Sequence, residues 1–466
     1  MSAEEILKEV SSFCREAHLA ESTFGRLAVN DGKLIARLRS GGRVTTDTLD
    51  RLHVFMKRHR AERGVAVGDR PVAVAHQAGR RSMAAAAAAA DGEPEREFRF
   101  FDNRQKYLLF VNTCSEKQVV AGRVSDELAN IHPSPPSVRV FDAGIGDGTV
   151  LTRVMRSMHA RFPTMPFYVV GKEISLEDVR LALEKMPDRF YEHPATVLVL
   201  TNMYYAEAPW LTARDPAAAH TTVWKEVALH GNSSHEFEEQ IAELQPFLDQ
   251  NWTAHSSAKT GNPVYDRPVV LVLYRDDRRF LLDSALPRRG QIRADYDLVI
   301  ASQPYRARAS TAFKAKRVVA PLAQALRQGG RLIGIHSWGN DPGMEIIHAV
   351  WPDENPFVTD RHALLKAVKQ ELGSAGRELT FKVNSDARSI FRYGMHAMPG
   401  EMSGAIGTST LFAAWNAAVY VAQVEDERLS EAQKGDAYIK ATDAVLKKHG
   451  GLWFNDESYV ISRRRD

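Results

Sequence analysis

Cysteine is almost missing from this chain: its 466 residues contain two, Cys14 and Cys114. They fall in different parts of the sequence, which leaves no cysteine-rich metal site and fits a reducing cytoplasm with free thiols. Long apolar runs are missing too, with none approaching the roughly 20 residues of a membrane span. The opening Met-Ser-Ala-Glu-Glu-Ile is acidic and amphipathic, unlike a signal peptide, so the expected location is cytoplasmic. An excess of either charge is also missing. The formal net charge is +3, and nothing global demands nucleic acid or an anionic membrane. What remains is the composition of a globular protein, 44% apolar and 26% charged, long enough for two or three domains.

The most informative stretch covers residues 137–151. Val138, Val140 and Phe141 make a short apolar run after the turn residues Pro133, Pro135 and Pro136, which reads as a buried strand. Asp142-Ala143-Gly144-Ile145-Gly146-Asp147-Gly148 follows, then a helical pattern of Val150, Leu151, Val154, Met155 and Met158. Strand, glycine turn and helix form the front end of a nucleotide-binding α/β unit. The glycines let the backbone turn sharply and approach a ligand where a Cβ would clash. The spacing is G-x-G-x-G, not the dinucleotide G-x-G-x-x-G, and the strand ends in an acid. A carboxylate there repels phosphate and suits a cationic or amino-bearing ligand.

This motif resembles the first motif of class I methyltransferases that use S-adenosylmethionine (SAM), whose sulfonium and amino groups are positive. The resemblance implies a Rossmann-like α/β fold with a seven-stranded sheet and helices on both faces. It makes Asp142, Gly144, Gly146 and Gly148 cofactor-binding candidates. The run 167–173 is a second strand ending in Glu173, placed to grip ribose hydroxyls, and Ser175 caps the helix after it. Residues 196–203 form a third strand, whose Asn202 and Met203 would meet the adenine as a polar partner and a soft wall.

Residues 206–292 exceed a usual crossover and read as a substrate-side insertion holding an amphipathic helix (237–248) and a strand-like run (268–274). The spacing of Trp224, His230, His235 and Trp252 matches no metal motif, and no metal site is expected. Tyr296 to Tyr305 is the fourth strand with its loop. A helix ending at Gly329-Gly330 leads to the fifth strand, 331–336. The tail supplies candidate final strands at 379–383 and 458–462, a helix between them, and an aromatic cluster, 391–398, that can line an acceptor pocket or simply be core. Ligands of open α/β sheets lie at the carboxyl ends of the strands, which points to Tyr305 and His336 as the base or orienting groups, with Tyr204 behind them.

Residues 1–63 read as a small all-α domain of short helices. The segment 21–42 resembles the helix-turn-helix half of small repressor-type domains. From Phe24 to Arg63 there are ten Lys/Arg against four acids, and Lys33, Arg37 and Arg39 are the DNA-contact candidates. A helical docking module with solvated charges is the alternative. Residues 64–97, with an alanine run from Ala84 to Ala90, form a flexible linker. The expected catalytic part is 98–466, opening on a helical stretch whose Asn112-Thr113-Cys114-Ser115 can reach the ligand.

Three functions fit. The first is methyl transfer from SAM to a small molecule or lipid. The second is a SAM-sensing, DNA-binding regulator without catalysis. The third is a DNA methyltransferase, since Ser302-Gln303-Pro304-Tyr305 is near the [Asp/Asn/Ser]-Pro-Pro-aromatic signature but breaks it at Gln303. The acceptor and any homodimer stay open.

Overall fold

The computed structural model describes residues 104–257, 262–397 and 406–465, and in the N-terminal part only scattered helical positions between Leu7 and Met56. The chain divides into two compact units, Met1–Ala88 and Ala89–Asp466. In the first, helix α1 (Leu34–Arg39) contributes Leu34, Ile35 and Leu38 to a small core with Val10, Phe13, Phe24, Leu52 and Met56. The helix-turn-helix geometry and the linker 64–97 lie outside the described residues.

The second unit is built on a ten-stranded sheet. Its central strands β1 (Val138–Asp142), β2 (Phe167–Lys172) and β3 (Thr196–Thr201) pair in parallel. They are covered on both faces, which is why their sequences are nearly continuous apolar runs. On one side β3 continues into β7 (Val269–Arg275), antiparallel to it, and then β4 (Val223–Leu229) at the edge. On the other side β1 pairs with β8 (Tyr296–Ser302), then β9 (Leu326–Ser337), the antiparallel β12 (Trp453–Arg463) and β10 (Leu379–Lys382). β11 (Ile390–Gly394) pairs with the first half of β12. A separate hairpin joins β5 (Ala254–Ser256) to β6 (Pro263–Tyr265).

The expected seven strands are therefore too few. The insertion does not hang from the sheet; it lengthens it by β7 and β4, because the apolar run 268–274 satisfies the edge of β3 instead of leaving it open. Strand order reverses between β1 and β8, since the chain winds one way through β2 and β3 and the other way through β8 and β9. Such a reversal opens a crevice at the carboxyl ends of the strands.

One face is covered by α3 (Glu116–Asp126), α4 (Thr149–Arg161), α5 (Leu176–Glu184) and α6 (Ser234–Ala242). The opposite face is covered by 311–324, which includes one π-helical stretch at 314–319, and by α8 (Arg361–Leu372). The tail folds with α2 (Arg104–Thr113) into a third core. α7 (Pro342–Val350), α9 (Thr408–Val421) and α10 (Ala437–His449) pack there against Phe110, Cys114 and Phe454. That core lies beyond the carboxyl ends of the sheet and explains why the tail exceeds two closing strands.

Candidate functional site

β1 carries Asp142 to its carboxyl end, and the chain then turns into α4. Gly146 and Gly148 have φ of +51° and +78°, the region that glycine enters without strain. At Gly148 a Cβ would also stand 2.8 Å from Ala182 Cα of α5. At Gly144 a Cβ would meet nothing within 4 Å, so the loop there borders open space. Asp142 is buried and accepts a hydrogen bond from the Gly144 N–H at 3.1 Å. Burial pushes its carboxyl up to about 7, with the Gly144 bond and Lys117 pulling down and Glu173 pushing further up.

Glu173 follows β2. Its Oε2 accepts from the Gly146 N–H at 3.0 Å, and its Oε1 from the N–H groups of Ile174 at 2.8 Å and Ser175 at 2.9 Å. The acid of the second strand thus ties the glycine loop to the start of α5. Ser175 caps that helix as its sequence predicts, accepting from the Asp178 N–H at 3.3 Å. Asp178 is pushed up to about 7 by burial and by Glu173.

Above this acidic floor stand three groups that the sequence reading missed. Lys117 Nζ lies 5.6 Å from the Tyr107 ring centre, and the Tyr107 and Tyr420 rings are 6.0 Å apart. Burial works against the Lys117 charge, but Glu116, Tyr107, Tyr420 and Asp147 outweigh it and keep the ammonium protonated. These residues come from α2, α3 and α9. No local pattern marks them, because only the tertiary fold brings α9 over the loop.

Asn202 is placed differently from its expected use. Its Nδ2 donates to the Arg267 carbonyl at 2.9 Å and its Oδ1 accepts from the Val269 N–H at 2.8 Å. Both polar ends of the amide are engaged in stapling β3 to the insertion. Met203 is fully buried among Val197, Val270 and Leu211. Tyr204 packs on Tyr265 of the insertion, ring centres 4.7 Å apart.

Tyr305 and His336 are brought together. The Tyr305 hydroxyl lies 2.6 Å from His336 Nδ1, and His336 Nε2 lies 2.7 Å from Glu457 Oε1. Glu457 also accepts from the Arg361 backbone N–H at 2.7 Å and its guanidinium at 2.8 Å. Burial pushes Glu457 upward, but His336 and Arg361 outweigh it and hold the carboxyl below its ordinary value. An ionised Glu457 fixes the tautomer: Nε2 carries the proton, and Nδ1 accepts from the Tyr305 O–H. Lys314, on the π-helical turn, places its ammonium 5.2 Å from the Tyr305 ring centre. Glu457 and Arg361 were not legible in sequence, since 121 residues separate His336 from its acid.

The 391–398 cluster contributes in part. Tyr393, Gly394 and Met395 line a cavity of about 440 Å³ with Ser115 and Trp453. Of the proposed DNA contacts, Lys33 and the Arg37 side chain lie outside the described residues. Arg39 is exposed and pairs with Glu21 at 2.5 Å.

No family model matches this chain, and no curated protein matches its sequence. Solved structures that this chain matches include geranyl diphosphate methyltransferase in complex with GPP and sinefungin. It is 12% identical over 74% of this chain and 78% of that one, with a TM-score of 0.29. The same enzyme in complex with SAM gives 11% identity over 74% of this chain and 85% of that one, and a TM-score of 0.27. PKMT2 from Rickettsia typhi in complex with AdoHcy gives 10% identity, 74% and 53% coverage, and a TM-score of 0.25. Overlaps this shallow define no family. The class that the fold itself defines is a doubly wound α/β protein with a glycine-loop crevice at its strand reversal.

Proposed function

We propose that this chain binds S-adenosylmethionine in that crevice and transfers its methyl group to an acceptor at the carboxyl ends of β8 and β9. The carrying observation is the open space at Gly144 beside a buried Asp142 whose charge Lys117 does not fully offset. A ligand with a positive sulfonium and amino group fits both the space and the charge. When bound, it supplies an electrophilic methyl carbon. Asp142 and Glu173 would hold its amino and ribose groups, and Lys117 faces where a carboxylate would be neutralised. Met203 would back the adenine, while Asn202 acts through the β3–β7 staple that shapes that wall.

The protein's own work is positioning and the exclusion of water. Tyr305 donates its proton to His336 Nδ1, which leaves the phenolic oxygen free to accept from an acceptor N–H or O–H. Glu457 keeps His336 in that tautomer. The N-terminal unit adds a DNA-binding or docking module, with Arg39 and the basic segment around it as the contact surface.

Titration calorimetry tests the cofactor assignment: wild-type protein binds SAM, and Asp142→Ala and Gly146→Val lose it while remaining folded. Wild-type affinity in both variants, or preference for NAD, would overturn it. Tyr305→Phe should lower methyl transfer about tenfold with SAM affinity within a few-fold, as expected for a group acting on the acceptor.

A further inference from the structure

β11 and the start of β12 border a groove that the methyl-transfer chemistry does not use. In their antiparallel register Gly394 stands opposite Trp453, and Arg392 opposite Asn455. Side chains alternate between the faces of a strand, so Arg392, Gly394 and Trp453 share one face. Tyr393 goes to the other and stacks on Phe454, ring centres 5.5 Å apart. Gly394 therefore puts no side chain beside the indole. A Cβ there would meet only the Leu452 carbonyl oxygen at 3.5 Å, and at Gly451 it would meet nothing within 4 Å. The space left is a cavity of about 440 Å³, the size of a small-molecule site, with Met395, Ala397, Leu452 and Trp453 as its apolar wall.

Arg392 is the charged residue of that lining. Its guanidinium lies over the Trp453 ring, 5.5 Å from the centre, reaching diagonally past the empty Gly394 position. A cation on a ring face is steadied without spending its N–H donors. No carboxylate among the described residues pairs with Arg392. Glu345 is taken by Lys448 and by His449, whose own ring meets the edge of Trp453 at 5.3 Å. The wall itself is already satisfied: the Ser115 hydroxyl accepts from the Gly394 N–H at 3.1 Å, and the Gly394 carbonyl accepts from the Ser115 N–H at 2.9 Å. Because Arg392 is exposed, a ligand can reach its donors without breaking a contact within the chain.

We propose that this groove binds an aromatic carboxylate, with its anionic end on Arg392 and its ring against Trp453 and Met395. A planar carboxylate matches the guanidinium fork with two parallel hydrogen bonds. One cation balances a monoanion, whereas a phosphate dianion would bring a second charge against an apolar wall. A saturated acid would fill the space without the ring contacts that an indole and a thioether offer. None of the cofactor-binding candidates lines this groove, so the proposal does not depend on the methyltransferase reading.

The test titrates full-length protein with 2-naphthoate, 2-naphthamide, 2-naphthyl phosphate and decahydro-2-naphthoate, with binding read by calorimetry. Wild type should bind 2-naphthoate at least about tenfold more tightly than the amide or the phosphate. The saturated acid should bind about threefold more weakly than 2-naphthoate. Arg392→Gln should bring the carboxylate down to the affinity of the amide, and the exposed position of Arg392 leaves the fold intact. Gly394→Ala should weaken carboxylate and amide alike, by filling the space beside the indole, with an unchanged far-UV spectrum. A wild type that binds none of the four, or that does not prefer the carboxylate to the amide, overturns the proposal. So does an unchanged preference in Arg392→Gln. Tighter binding of the phosphate overturns the monoanion, and equal binding of the saturated acid overturns the aromatic ring.

Discussion

Asp142, the last residue of β1, and Glu457, in the first half of β12, are both buried carboxylates, and their settings are opposite. Glu457 accepts from His336 and twice from Arg361, and its charge is held below the ordinary range. Asp142 accepts one backbone N–H and is pushed up to about 7. One carboxylate is satisfied within the chain, and the other has Lys117 acting on it against burial and Glu173, with no side-chain donor of its own among the described residues. Charge left incomplete in a folded protein marks the place where a ligand completes it.

The largest expected effect breaks the completed side. Glu457→Gln leaves the buried Arg361 with Asp386 as its remaining carboxylate and gives His336 a neutral acceptor in place of a charged one, a loss of about 3 kcal/mol in urea unfolding. A loss below about 1 kcal/mol would show that the two carboxylates do not differ as described. Next comes Gly148→Ala, where a Cβ stands 2.8 Å from Ala182 Cα at φ +78°. We expect a cost of about 2 kcal/mol from backbone strain and overpacking combined.

Asp142→Asn sharpens the contrast through pH. A carboxyl whose folded value is raised stabilises the fold below its unfolded value, and that contribution is lost as pH rises through the folded value. For Asp142 the window runs from its ordinary 3.8 to about 7. Thermal melts should show little difference between variant and wild type near the bottom of this window. Above it the variant should be the more stable apo protein. In the wild type, SAM binding near neutral pH should release a proton, detected as buffer-dependent calorimetric heat. A variant less stable than wild type throughout would show that Asp142 is already paired. The smallest stability change is expected for Gly144→Ala, within about 0.5 kcal/mol. Its affinity for SAM should nevertheless fall about tenfold, because the added methyl enters the open space and not the fold.

This contrast also sets what could be read without coordinates. The glycine loop, Glu173 and the Ser175 cap lie within one strand–helix repeat, where spacing and residue type fix geometry, and each sits where the sequence predicts. β1, β2, β3, β8 and the second half of β9 were legible for the same reason, as apolar runs bounded by turn residues. The β3–β7 pairing was not, because nothing local says that an insertion strand will satisfy an existing edge. Asn202 was misread with it: an amide at a strand end looks the same whether it faces a ligand or an incoming backbone. Lys117, Tyr420, Glu457 and Asp456 depend on contacts between segments hundreds of residues apart or on the far side of the sheet. Tyr305 and His336 were chosen for their place at the carboxyl ends of the strands that are β8 and β9, and the 2.6 Å contact between them joins two independent choices.

β12 supplies both Glu457 and Asp456, consecutive residues whose side chains leave opposite faces of one strand. Glu457 meets His336, and Asp456 accepts from Gln303. A slip of one residue in the pairing of β12 with β9 would exchange them, placing the shorter acid against His336 and the longer one against Gln303. Pairing with β11 on one side and β9 on the other guards against that slip. During synthesis, moreover, neither face has its acid until residues 453–463 have been made. The glycine loop is complete more than 300 residues earlier, so a nascent chain holds the loop long before it has Tyr420 to cover it or Glu457 to meet His336.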